Sequence, residues 1–321
     1  MKDLSIQSRL RPYSRFILAL MMLQVSVGIV IYFIWVLTGA SALLRIYFDY
    51  QGAIYLIFLD IFKLWLCVVA WKQFREKESL RSAWLIISLA MGFELLGDLL
   101  KHWLRADTYI NPLHYLWPVW DASAAHLLHV WGSAIAGPLF MAVLAVGLFK
   151  GLQHYRKIGM LGTLRSYDYV LVGGVAIYAA YVFVTVVRIA VTNTALIGTS
   201  WMLTWPNNML LAVLLLEAIL LFRTAADMGQ GYIAWAWGAF AVAIFLTSVE
   251  SVAQWLTSFG FFPYPENAVM WYLWYVWAAA FALGPAYQVD AIRVAEFRAV
   301  NETRSLSSSS IIHAFTGKWL G

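Results

Sequence analysis

The sequence predicts an all-α, polytopic membrane protein with eight transmembrane helices. Of its 321 residues 62% are hydrophobic and 12% charged, too few polar side chains to cover a water-facing surface. The apolar residues fall into eight runs near 16–38, 53–74, 82–104, 124–149, 167–191, 205–223, 232–256 and 268–290. Each is close to the roughly 20 residues that a helix needs to cross the hydrocarbon. Lys and Arg collect in alternate connections: the leader, then Lys72 to Arg81, Lys150 to Arg165, Arg223, and the tail from Arg293. The opposite connections hold only Arg45, Lys101 and Arg105, so the positive-inside rule places both termini in the cytoplasm, as for a bacterial inner or plasma membrane.

Taken in order, the basic leader precedes an apolar run too long for a cleaved signal peptide, and it is expected to remain on the chain. Span two carries Asp60 and Lys63 near its midpoint, and the single Cys67 can form no intrachain disulfide. In span three, Glu94, Asp98 and His102 lie at i, i+4 and i+8, one stripe of a helix. An ionisable residue at such depth points to a functional site, and pairing of Lys63 with Glu94 or Asp60 would neutralise it. That pairing suits plain structural neutralisation as well as a proton relay. The loop 105–121 has Pro112, Pro118 and several aromatics, and reads as a cap on the outer surface.

Span four opens with His126, His129 and Ser133 on one stripe, and span five carries Arg188 at its outer end. Span six begins at Trp205-Pro206-Asn207-Asn208, with proline suited to the first helical turn. Span seven repeats the polar theme with Thr247, Glu250, Ser251 and Gln254. Span eight continues into an alternating-charge helix from Asp290, followed by a serine-rich linker, 305–310, and a short tail.

Three landmarks recur in order along the chain. Leu10-Arg11-Pro12-Tyr13 returns as Leu164-Arg165-Ser166-Tyr167, the segment from Asp98 to Leu104 as Glu250 to Leu256, and Ala136-Gly137-Pro138 as Leu283-Gly284-Pro285. They predict two tandem four-helix units, 1–155 and 160–290, in parallel orientation because each has an even number of crossings, with 291–321 as a cytoplasmic extension.

Orientation gathers the polar groups in the outer leaflet. Lys63, Glu94, Asp98, Arg188, Asn207, Asn208, Glu250 and Gln254 are expected to line a polar pocket or proton path. His102 with His126 or His129 would suit the axial positions of a b-type haem. The same histidines with Asp98 would suit a transition metal, and the aromatics would suit a quinone. No zinc-protease, nucleophile-elbow, phosphate-loop or dinucleotide motif is present, and span seven has no mid-helix lysine for a retinal. Basic charge follows topology, so the expected partners are the lipid bilayer and other membrane or peripheral subunits, not nucleic acid.

The favoured expectation is therefore a membrane subunit that binds a redox cofactor, metal or quinone and takes part in electron or proton transfer. The alternatives are a small-molecule or ion transporter or channel, and a receptor or assembly subunit signalling through the last helix. In helix number and four-plus-four organisation the chain resembles the eight-helix quinol-interacting anchors of respiratory molybdenum reductases. That likeness is architectural over spans one to eight and assigns no residue a role.

Overall fold

A computed structural model describes residues 11–75, 78–103, 133–159, 166–192, 204–227, 231–258 and 270–316. All of the regular structure within these residues is helical. Helix α1, Pro12–Thr38, has proline in its first turn, where the missing N–H costs nothing. It ends at Gly39, whose φ of 69° allows its N–H to reach the Trp35 carbonyl at 2.7 Å.

The chain re-enters through the short α2, Ser41–Arg45, and a π-helical turn, Ile46–Gln51, that runs into α3, Gly52–Gln73. There follow α4, Ser79–Trp103, α5, Ser133–Lys157, α6, Ser166–Thr192, α7, Thr204–Asp227, α8, Gly231–Ser258, and α9, Met270–Thr316. Seven helices among the described residues are long and apolar enough to cross a membrane, with α2, the π turn and α3 counted as one. The run expected as the eighth crossing, 268–290, falls largely on α9, which is not among those seven.

The serine run 305–310, expected as a linker, instead continues the α9 helix to Thr316. Serine lowers helix propensity only modestly, and extending a helix already nucleated adds one hydrogen bond per residue.

Six helices pack as a closed ring: α3 on α4, α4 on α5, α5 on α7, α7 on α8, α8 on α9, and α9 back on α3. Helix α1 leans on α9 from outside the ring, and α6 leans on α7. Burial follows this order, since the span that contains α3 and the α8 span are the most buried of the seven, and α1 and α6 are the least.

Aromatic rings fill the interior. Trp84 of α4 stacks on Trp237 of α8 at 5.6 Å across the ring, and Phe281 of α9 meets Phe240 at 6.1 Å and Phe140 at 5.7 Å. Gly284 makes room for this, because a Cβ there would lie 2.6 Å from the Phe240 ring. Two polar ties hold the outer helices. The Ser14 hydroxyl and N–H both donate to Asp290 Oδ2, at 2.7 and 3.0 Å, joining α1 to α9. Arg223 of α7 pairs with Asp168 of α6 and lies over the Tyr167 ring.

Candidate functional site

The feature that an apolar interior least tolerates lies where α3, α4 and α9 meet. Lys63 is 0% exposed. It sits roughly 15 Å from either end of α3 at 1.5 Å per residue. Its ammonium donates to Asp60 Oδ1 at 2.8 Å, one turn earlier on α3, and to Glu94 Oε2 at 2.5 Å on α4. A third direction is closed by the Phe281 ring, 5.6 Å from Nζ to its centroid, a favourable cation–π approach. Asp60 and Glu94 are 1% and 7% exposed.

Asp98, one turn beyond Glu94 on α4, is half-buried and interacts with Asp60, so a second carboxyl faces the first. Asp60 Oδ2 and Glu94 Oε1 are buried and, among the described residues, meet no hydrogen-bond donor. One ammonium is thus set against three carboxyls. In a medium without water an unpaired carboxylate costs several kcal/mol. The arrangement therefore suits groups that carry and exchange protons.

The surroundings are not symmetric about the cluster. Toward the cytoplasmic end expected from charge, Leu66, Cys67, Ala70, Trp84 and Ile87 are all 0% exposed and apolar. In the other direction the Glu94–Asp98 stripe leads outward along α4.

Of the residues expected in the polar pocket, the structure brings Lys63, Glu94 and Asp98 together and adds Asp60 as the second partner of Lys63. Glu250 is buried on α8, where the Trp274 indole N–H donates to its Oε1 at 2.6 Å. Neither Asp98 nor Glu250 faces lipid freely. Arg188 is different: it is exposed on α6, whose main packing partner is α7. A long charged side chain near a helix end reaches the interface more cheaply than it enters the core.

His102 lies on α4 and Asn207 and Asn208 lie on α7, but their side chains, like that of Gln254 on α8, are outside the described residues. His126 and His129 lie wholly outside them, as does the loop 105–121. No group of three His, Cys, Asp or Glu side chains among the described residues is arranged to hold a metal.

Sequence reasoning gave no role to the Asp168–Arg223 pair or to the Trp84–Trp237 stack. The first had a signal, an acid and a base at neighbouring helix ends. The second had one in the repeat, since Trp84 and Trp237 stand 153 positions apart, close to the spacing of the recurring landmarks. Compared with known protein families, with curated proteins and with solved structures, the chain shows no match.

Proposed function

We propose that this chain is an integral membrane proton-transfer protein, with Lys63, Asp60, Glu94 and Asp98 as its proton-carrying site. The observation that carries this reading is the excess of carboxyl groups over cations: Asp60 and Glu94 both bond the one buried ammonium, each with a second oxygen that meets no donor among the described residues, and the half-buried Asp98 adjoins Asp60. A site built only for neutrality needs one carboxylate for one lysine. The extra carboxyls hold protons whenever the cluster as a whole is neutral, and Asp98 offers them a way in from the outer side.

In this reading the chain crosses the membrane eight times as two tandem four-helix units, with both ends cytoplasmic. Exchanging α3, α4 and α5 for α7, α8 and α9 turns the ring contacts α3–α4, α4–α5 and α5–α7 into α7–α8, α8–α9 and α9–α3, all of which are present. Among the described residues, six of the eight buried positions of α4, Ala83, Trp84, Ile87, Ala90, Met91 and Glu94, recur 153 positions on as the buried Ala236, Trp237, Phe240, Ala243, Ile244 and Thr247, while Leu80 and Ser88 fall against the half-buried Ile233 and Ala241. This register is one residue away from the sequence alignment that paired Asp98 with Glu250. It sets Thr247 against Glu94, so the chemistry belongs to the first unit.

The electron-transfer half of the sequence expectation rests on His102, His126 and His129 as haem or metal ligands or on aromatics that hold a quinone, and no observation on the described residues adds to it.

Infrared spectroscopy of the protein in lipid tests the proposal. Raising the pH is expected to remove the carbonyl absorption of protonated carboxyl groups, and Glu94→Gln and Asp60→Asn are each expected to remove part of that change. An identical pH response in wild type and both variants would overturn it.

A further inference from the structure

A cleft of about 500 Å³ opens sideways between α1 and the segment formed by the π turn and the start of α3. Its rim is apolar and exposed, with Leu23 62% and Ile54 66% accessible, so in a membrane it faces lipid. Its floor is different in kind. Gln24, Tyr47 and Tyr55 are each 4% exposed, and Gln24 exchanges reciprocal amide hydrogen bonds at 2.8 and 2.7 Å with Gln51, which stays exposed to the cleft side. The Tyr47 hydroxyl donates to the Gln24 backbone carbonyl and fixes that wall. Tyr47 and Gln51 both belong to the π-helical turn, a wide-turn geometry that recurs at functional sites.

Each primary amide carries two N–H donors, and the reciprocal pair uses one from each side chain. No water reaches this depth to take up the others. Gln24 stands near the middle of α1, roughly 20 Å from either end at 1.5 Å per residue. A phospholipid keeps its charged head at the interface and presents only acyl chain at such depth. The molecule that satisfies the amide pair must bring an uncharged oxygen to the bilayer midplane.

We infer that this cleft binds a neutral, lipid-soluble molecule with an apolar body and a single uncharged hydroxyl or carbonyl head, seated on the Gln24–Gln51 pair. The chain wall supplied by Leu20, Val27 and Phe58 takes the body. The head accepts from the free amide N–H groups.

Photolabelling of the full chain in lipid nanodiscs tests the site without calling on the Lys63 cluster. The probes are a diazirine-bearing long-chain alcohol and a diazirine-bearing phospholipid, with labelled peptides located by mass spectrometry. The alcohol is expected to label residues 16–27 and 47–58 saturably, in competition with dodecanol but not with dodecane. Gln24→Leu with Gln51→Leu is expected to lower that labelling at least about tenfold, a loss of the order of one or two hydrogen bonds. Val27→Trp, which fills the cleft and leaves the amides, is expected to abolish it. The inference is overturned if the alcohol labels all lipid-facing helices alike, if the phospholipid labels the cleft equally well, or if both the double leucine and the tryptophan variants label like wild type.

Discussion

Lys63 concentrates most of what is unusual at single positions. It is the hydrogen-bonding centre of Asp60 and Glu94, and its removal leaves two carboxyls inside an apolar bundle with no cation. Lys63→Met is expected to destabilise the protein by about 3–5 kcal/mol, the usual result of breaking a buried pair from one side. Adding Asp60→Asn and Glu94→Gln to it should restore most of the loss, because no buried charge then remains unpaired. Denaturation in mild detergent measures both, and a triple variant no more stable than Lys63→Met would show that the charges are not what destabilises it.

These positions were readable in advance for a simple reason. An ionisable residue in an apolar run is rare and costly, so Lys63, Glu94 and Asp98 stand out from their surroundings. Which carboxyl Lys63 would meet was not readable, since Asp60 is one turn away on the same helix while Glu94 lies on the next, and spacing along a helix does not say how two helices face each other.

Among the helices, α9 does more than close the second half of the chain. Its Tyr275 meets Tyr55 at 5.4 Å and stacks on Phe48 at 6.1 Å, its Phe281 lies over Lys63, and its Asp290 holds the start of α1. The close approach at Gly284 makes it sensitive to added volume: Gly284→Val is expected to cost about 1–3 kcal/mol by pushing against Phe240, with a matching fall in thermal stability. Trp84→Ala, which empties the middle of the α4–α8 contact, should cost about 3–5 kcal/mol by the same measurement. Asp290→Ala should act locally, with faster amide exchange in the first turns of α1 and little change in α4 and α8, since Ser14 loses its partner while the ring is untouched. The sequence alone suggested a break at the serine run, yet the helix passes through it, because nothing in that run opposes continuation strongly enough to stop a long helix.

At the level of the whole chain, eight crossings require both ends on one side of the membrane, and seven would require opposite sides. Replacing Cys67 by serine and introducing cysteine in turn at Gln7 and Asn301 gives the test. In right-side-out vesicles both are expected to resist an impermeant maleimide until the membrane is opened, and labelling of one alone from outside would exclude eight crossings.

Composition and periodic spacing by themselves determined the helical class, the approximate spans and the polar positions worth attention, because burying charge in hydrocarbon is expensive enough to leave a mark at every such residue. They did not determine which helix faces meet. In a water-soluble bundle the polar face marks the outside, but here lipid and protein interior are both apolar, and apart from Asp60 and Lys63 the inward face of α3 reads much like the face toward the bilayer. Only the tertiary structure decided that α9 closes the ring against α3, that Trp84 meets Trp237, and that Gln24 and Gln51 stand together at the floor of a cleft. Those choices rest on shape and close packing between apolar surfaces, which hydropathy does not encode.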